Sequence, residues 1–111
     1  MRQAIIDIGS NAIRAVVYDN RSLGAPEIYN DKFRSDIVSL LELDNLDVKH
    51  HTYLTLQYFS NIFQQLDVTQ INCVATAVLR EHPKAQYFVK LVKKKYNIDI
   101  DIISGEREAR L

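Results

Sequence analysis

The sequence predicts an α/β fold: one mixed sheet with helices packed against it, in the order β-β-β-α-β-α-β. Three observations predict it. Two β-rich runs flank a Gly-Ser-Asn break near the start. Thr52, Leu56, Phe59, Phe63 and Leu66 then recur at three- and four-residue steps, the rhythm of an amphipathic helix. The alternation Ile98-Asp99-Ile100-Asp101-Ile102 reads as a strand with one buried face. The chain has 111 residues, which bounds it to one small domain at most.

Taken in order, Ala4 to Ile8 is a short buried strand and Ala12 to Asp19 a second one. Gly9-Ser10-Asn11 between them predicts a hairpin, because Gly and Asn tolerate the positive φ of a tight turn. Asn20 to Pro26 is another turn, and Glu27 to about Phe33 a weaker strand near an edge. Three consecutive antiparallel strands make a meander. Within Arg34 to Asp47, Ile37, Val38, Leu40 and Leu41 allow one helical turn, while Leu43 to Val48 reads as loop. His50 to Leu66 is the clearest helix. Ile71 to Thr76 is an apolar run expected as a central parallel strand. Pro83 suits the first turn of the next helix, whose face carries Phe88, Leu91, Val92 and Tyr96. After the alternating strand, Ser104 is an N-cap candidate for a last helix holding only Glu106 to Leu111. A single turn does not recover its nucleation cost. The chain therefore reads as a piece of a longer protein, its fold incomplete at the C-terminus.

Charges balance to a formal zero, so no net field draws nucleic acid or membrane. Lys93-Lys94-Lys95 reads as a solvated helix face. The single Cys73 has no internal disulfide partner and sits in an apolar run, so it reads as a small buried hydrophobe. That fits a reducing, cytoplasmic compartment. No apolar stretch reaches the length of a membrane span, and the start lacks a signal-peptide pattern. His50, His51 and His82 show no metal-ligand spacing and are assigned surface or capping roles.

Three segments carry candidate chemistry. In Asp7-Ile8-Gly9-Ser10-Asn11, a turn rich in small polar residues can aim several backbone N–H groups at one anion. Gly9 permits close approach, Ser10 and Asn11 add donors, and Asp7 could bind Mg²⁺ or orient a water. Short Gly-Ser turns are common, and taken alone this one is also an ordinary hairpin with Asp7 solvated. Thr76-Ala77-Val78-Leu79-Arg80 follows a parallel strand, where open α/β sheets place ligands. Arg80 there is either a bidentate phosphate grip or a solvated residue at a helix entry. Ile103 to Arg110 opens a helix, and Glu108 is either a general base or simply favourable charge in a first turn.

Together, Ile6-Asp7-Ile8-Gly9-Ser10-Asn11, Thr76-Ala77-Val78-Leu79-Arg80 and Ile103-Ser104-Gly105-Glu106-Arg107-Glu108-Ala109-Arg110-Leu111 resemble the exopolyphosphatase and guanosine pentaphosphate phosphohydrolase family. The Asp-x-Gly-Ser hairpin is shared with actins, chaperones and sugar kinases; the last motif narrows the assignment. The resemblance implies a ribonuclease-H-like fold of the actin-like ATPase superfamily. Residues 1–111 would be the N-terminal part of the first domain, with the rest of that domain and a second domain absent. It implies acid-anhydride hydrolysis, with Gly9, Ser10 and Asn11 cradling phosphate, Arg80 binding a substrate phosphate and Glu108 activating the attacking water. Mg²⁺, with Asp7 and Glu108 as its ligands, would neutralise phosphoryl oxygens. The substrate would be inorganic polyphosphate or guanosine pentaphosphate. Two positions depart from the pattern. Ala12 stands where a second hydroxyl is common, and Arg107 stands where an acidic residue usually precedes the catalytic glutamate. With an incomplete site the chain alone is expected to be inactive. The alternatives are a non-catalytic remnant that self-associates into a homo-oligomer through an exposed domain interface, or a phosphate-binding piece of a sugar-kinase-like ATPase.

Overall fold

A computed structural model describes residues 2–19, 26–35, 37, 41, 51–75 and 82–103. Its elements follow the predicted order: β1 (Arg2–Ile8), β2 (Ala12–Asp19), β3 (Glu27–Arg34), α1 (His51–Gln65), β4 (Val68–Ala75), α2 (Ala85–Tyr96) and β5 (Ile100–Ile102). The five strands form one sheet in the order β3-β2-β1-β4-β5. β1, β2 and β3 pair antiparallel as a meander, while β4 runs parallel to both β1 and β5. The third strand is an edge and the fourth is internal, as expected.

Alternation decides which face is covered. Ala4, Ile6 and Ile8 of β1 and Ile13, Ala15 and Val17 of β2 are fully buried. They join Leu56, Phe59 and Phe63 of α1 and Phe88 and Val92 of α2 in one core. Phe59 is the centre of an aromatic cluster. Its ring lies 5.5 Å from that of Phe33, 6.4 Å from Tyr29 and 6.3 Å from Phe63. Ile37 and Leu41 are helical and fully buried, consistent with the expected turn. Val38, Leu40 and the segment 43–48 lie outside the described residues, as do Thr76, Ser104 and the expected last helix.

Two left-handed residues end the helices. Asp67, at φ 56°, turns α1 into β4. Asn97, at φ 56° and ψ 38°, caps α2 and donates its N–H to the Lys93 carbonyl. Both are residue types that enter this region at modest cost. These caps account for two differences from the sequence reading. Leu66 and Asp67 complete the exit from α1, so β4 begins at Val68 rather than Ile71. Ile98 is buried but belongs to the connection after Asn97, so β5 starts at Ile100. Pro83 precedes α2 rather than lying in its first turn. The His82 carbonyl accepts from the Ala85 N–H, and His82 Nδ1 accepts from the Lys84 N–H, so the helix begins at Ala85.

At the rim where β1 begins, Arg2 ties three elements together. Its Nη1 donates to the Leu66 carbonyl at 2.9 Å, and its Nε lies 3.5 Å from Asp19 Oδ2. The opposite rim is left to the β1–β2 turn.

Candidate functional site

The turn between β1 and β2 is held by its own backbone. Ile8 and Ile13 are the last paired residues, and the Gly9 N–H donates to the Ala12 carbonyl at 2.9 Å. Four residues, Gly9 to Ala12, carry the chain across. The expectation of positive φ is overturned: Gly9 is not left-handed, and the non-glycine residues that are, among those described, are Asp67 and Asn97. A loop of this length reverses the chain without left-handed geometry. Close approach is what favours glycine here, because a Cβ on Gly9 would lie 3.3 Å from the Ala12 carbonyl oxygen. Ser10 and Asn11 are exposed at the tip, with their polar groups available to a solute.

Behind the tip the turn is anchored. The Ser35 N–H, just past β3, donates to the Asn11 carbonyl at 2.9 Å. The Ser35 hydroxyl in turn shares a 2.9 Å hydrogen bond with Thr52 Oγ1 in the first turn of α1. Ser35 and Thr52 are both buried. Neither was singled out as functional from the sequence. The available signal was Thr52 itself, a hydroxyl on an otherwise apolar helix face, which needs a partner when buried.

Parallel pairing brings three strand ends to this rim. Ile8 of β1 pairs with Ala75 of β4, and Ala75 pairs with Ile102 of β5. The Ile103 N–H then donates to the Ala75 carbonyl at 3.0 Å. The turn that follows β1 and the chain leaving β4 and β5 therefore depart from the same carboxyl-end rim. Arg80 and Glu108 lie outside the described residues.

Asp7 sits one residue from the end of β1 and is exposed on the face opposite the helices. Its cross-strand neighbour is Arg14, whose Nη1 donates to Asn30 Oδ1 at 2.9 Å. Among the described residues no group of three or more His, Cys, Asp or Glu is close enough together to hold a metal ion. The described residues thus offer Mg²⁺ the carboxylate of Asp7 but no complete ligand set.

Cys73 is buried, and burial pushes its thiol up to about 12, with a smaller contribution from the charge of Asp7. A thiol so far from ionising is a poor nucleophile, in keeping with a packing role. His82 Nδ1 accepts from the Lys84 N–H just ahead of α2 and does not cap the helix itself. His50 lies outside the described residues. Lys93 pairs with Asp99 at 3.0 Å, and Lys94 and Lys95 are exposed. Among the described residues no helix is long and apolar enough to cross a membrane.

Comparison with known proteins places this geometry. The pattern of the Ppx/GppA phosphatase family matches residues 16–111. A guanosine-5'-triphosphate,3'-diphosphate pyrophosphatase from Pseudoalteromonas translucida (strain TAC 125) is 30% identical over 110 residues, covering 96% of this chain and 22% of that protein. The crystal structure of an Aquifex aeolicus member of the Ppx/GppA family superposes with a TM-score of 0.84 at 24% identity, over 99% of this chain and 37% of the other. An exopolyphosphatase from Cytophaga hutchinsonii ATCC 33406 gives 0.86 at 23% identity, over 99% and 36%. The chain thus spans about a fifth of the curated relative and somewhat over a third of these solved structures.

Proposed function

This chain belongs to the Ppx/GppA phosphatase family, and on that premise we propose that it is the N-terminal part of the first domain of a phosphohydrolase that releases terminal orthophosphate from inorganic polyphosphate or guanosine pentaphosphate. The observation that carries the reading is the shared rim: β1, β4 and β5 end side by side next to the Gly9–Asn11 turn. Arg80 follows Ala75 by five residues and Glu108 follows Ile103 by five, each a reach of at most about 18 Å. A phosphate chain that enters at the turn therefore meets the rim from which both segments leave the sheet.

In this reading the backbone N–H groups and side chains of Ser10 and Asn11 receive phosphate oxygens, Gly9, whose own N–H is held by the Ala12 carbonyl, permits the close approach, and the Arg80 guanidinium takes two more oxygens. Glu108 accepts a proton from a water as its oxygen attacks the terminal phosphorus. The bond from that phosphorus to the bridging oxygen breaks, and its electron pair leaves on the shortened chain. Such a reaction depends on positioning and charge neutralisation more than on covalent chemistry. Mg²⁺ would supply part of that neutralisation, with Asp7 offering one carboxylate beside the turn. The cytoplasm, where both substrates would be met, fits a chain with a single buried, unpaired cysteine.

The chain spans 22% of the curated relative's length, and in this reading the 111 residues by themselves are expected to bind phosphate without turnover. Titration with inorganic tripolyphosphate, followed by backbone-amide NMR, tests this. Shifts should concentrate at residues 9–12, Arg80→Ala should weaken binding about tenfold, and phosphate release should stay at background. Shifts that miss the turn, or an Arg80→Ala variant that binds as tightly, would overturn the reading. In a protein of the relatives' length that carries this segment, Glu108→Gln should abolish release while leaving polyphosphate binding intact.

A further inference from the structure

The proposed phosphate turn is exposed at its tip, yet one of its peptides is held from behind by the backbone N–H of Ser35, a residue whose buried hydroxyl pairs with that of Thr52. The Ser35 N–H donates to the Asn11 carbonyl at 2.9 Å, and the Ser35 hydroxyl meets Thr52 Oγ1 at 2.9 Å. Ser35 is 2% exposed and Thr52 0%. We propose that Ser35 and Thr52 are positioning residues for the turn, fixing the Asn11–Ala12 peptide so that its carbonyl faces β3 and its N–H faces the anion. The identity of the anion rests on the phosphate reading above; the anchoring geometry does not.

The argument is one of dipole direction. An anion cradle works when N–H groups point in and carbonyls point out, since an inward carbonyl repels the ligand. In a planar trans peptide the two groups lie on opposite sides, and no cis peptide occurs among the described residues. Holding the Asn11 carbonyl outward therefore commits the Ala12 N–H to the inner side. Ser10 and Asn11 are exposed, so side-chain packing at the tip does not impose this choice. Ser35 does, from a site where water does not compete. Thr52 sets Ser35 in place: its hydroxyl bond reaches from the start of α1 to the residue that follows β3, so the helix, the edge strand and the turn share one register. A valine would fill the volume of Thr52 equally well. What the hydroxyl adds is direction.

Hydrogen exchange at single amides tests the proposal. The set is the unaltered chain, Thr52→Val, Thr52→Ser and a remote core variant, Val92→Ala on α2. Thr52→Val should speed exchange at the Ser35 N–H about tenfold more than Val92→Ala does at equal melting temperature. It should also weaken tripolyphosphate binding several-fold, and Thr52→Ser should restore both. If Thr52→Val does not fold, Ser35→Ala is read at the amides of residues 9–12, where faster exchange than in Val92→Ala is expected. Equal exchange in the Thr52→Val and Val92→Ala chains, no change at residues 9–12 in Ser35→Ala, or no rescue by Thr52→Ser would overturn the positioning role. Should the unaltered chain fail to bind tripolyphosphate, the phosphate reading falls, and exchange alone still decides the anchoring.

Discussion

The two faces of the sheet are made from alternate residues of the same strands, yet they carry different loads. On the covered face, Ala4, Ile6, Ile8, Ile13, Ala15, Val17 and Ala75 are fully removed from solvent beneath α1 and α2. On the other face one row across the sheet reads Lys32, Arg14, Asp7, Val74 and Asp101. Four of the five are charged. Stability thus comes from one face, through apolar burial. Most of the candidate chemistry belongs to the rim, where backbone leaves the ladder, with Asp7 beside it on the open face. The covered face supports that rim by holding three strand ends level.

Two adjacent isoleucines give the largest expected contrast. Ile6 is fully buried and Ile5 is 38% exposed on the open face. Ile6→Ala should cost about 2–5 kcal/mol, the usual range for emptying a core site. Ile5→Ala should cost under about 1 kcal/mol, mostly lost strand preference. Urea unfolding of both variants measures the difference. Similar losses would break the comparison, because the open face would then be covered in solution. A loss at Ile5 that grows with protein concentration would identify that cover as a second copy of the chain.

How much of this was legible in the sequence follows from the range of the forces involved. The strands and helices with strong periodicity, Arg2–Ile8, Ala12–Asp19 and His51–Gln65, were found because one-sided burial writes itself into spacing. Boundaries near Asp67, Pro83 and Asn97 were displaced because caps are set by single hydrogen bonds that spacing does not encode. Of the two reasons for Gly9, the positive φ is not adopted, while the absence of a Cβ matters at the Ala12 carbonyl, a contact that spans only three residues yet depends on loop shape. The Ser35–Thr52 partnership was not legible because it joins positions 17 apart, which local spacing does not encode. The hairpin that follows Asp7 was legible because turn chemistry is local. Arg80 and Glu108 were chosen from motif and strand order, and those strand ends share a rim with the turn.

Gly9→Ala sharpens the contrast between face and rim with a smaller effect. The added Cβ would sit 3.3 Å from a backbone oxygen, so the turn must give by a few tenths of an ångström. Opposing this, alanine reduces the freedom of the unfolded chain, which stabilises by about 0.4–1 kcal/mol where the conformation is compatible. The two terms nearly cancel, so the net change in unfolding free energy should stay within about 1 kcal/mol. Tripolyphosphate binding should fall by more than stability does, since the same tenths of an ångström displace the N–H groups that would contact the anion. A variant that loses stability but binds unchanged would separate the turn from the ligand and break the assignment.

The smallest effect is expected in the middle of the open face. Arg14 Nη1 donates to Asn30 Oδ1 at 2.9 Å, and Asn30 Nδ2 donates to Glu27 Oε1 at 2.8 Å. All three residues are exposed, so each bond replaces one that water would make. Such exchanges leave a net gain near the lower end of the usual range, about 0.5 kcal/mol. A double-mutant cycle with Arg14→Ala and Asn30→Ala isolates the pair from side effects of each change. Coupling near that value, falling as salt rises, fits a face that contributes solubility and strand register but little stability. Coupling above about 1.5 kcal/mol would mean the pair is shielded from water, which exposed residues on an uncovered face cannot be. That result would put a covering layer over Arg14 and Asp7. It would also move Asp7, the one described carboxylate proposed for Mg²⁺, from a solvated position into a buried one, where an unpaired charge is costly and a cation becomes the natural partner.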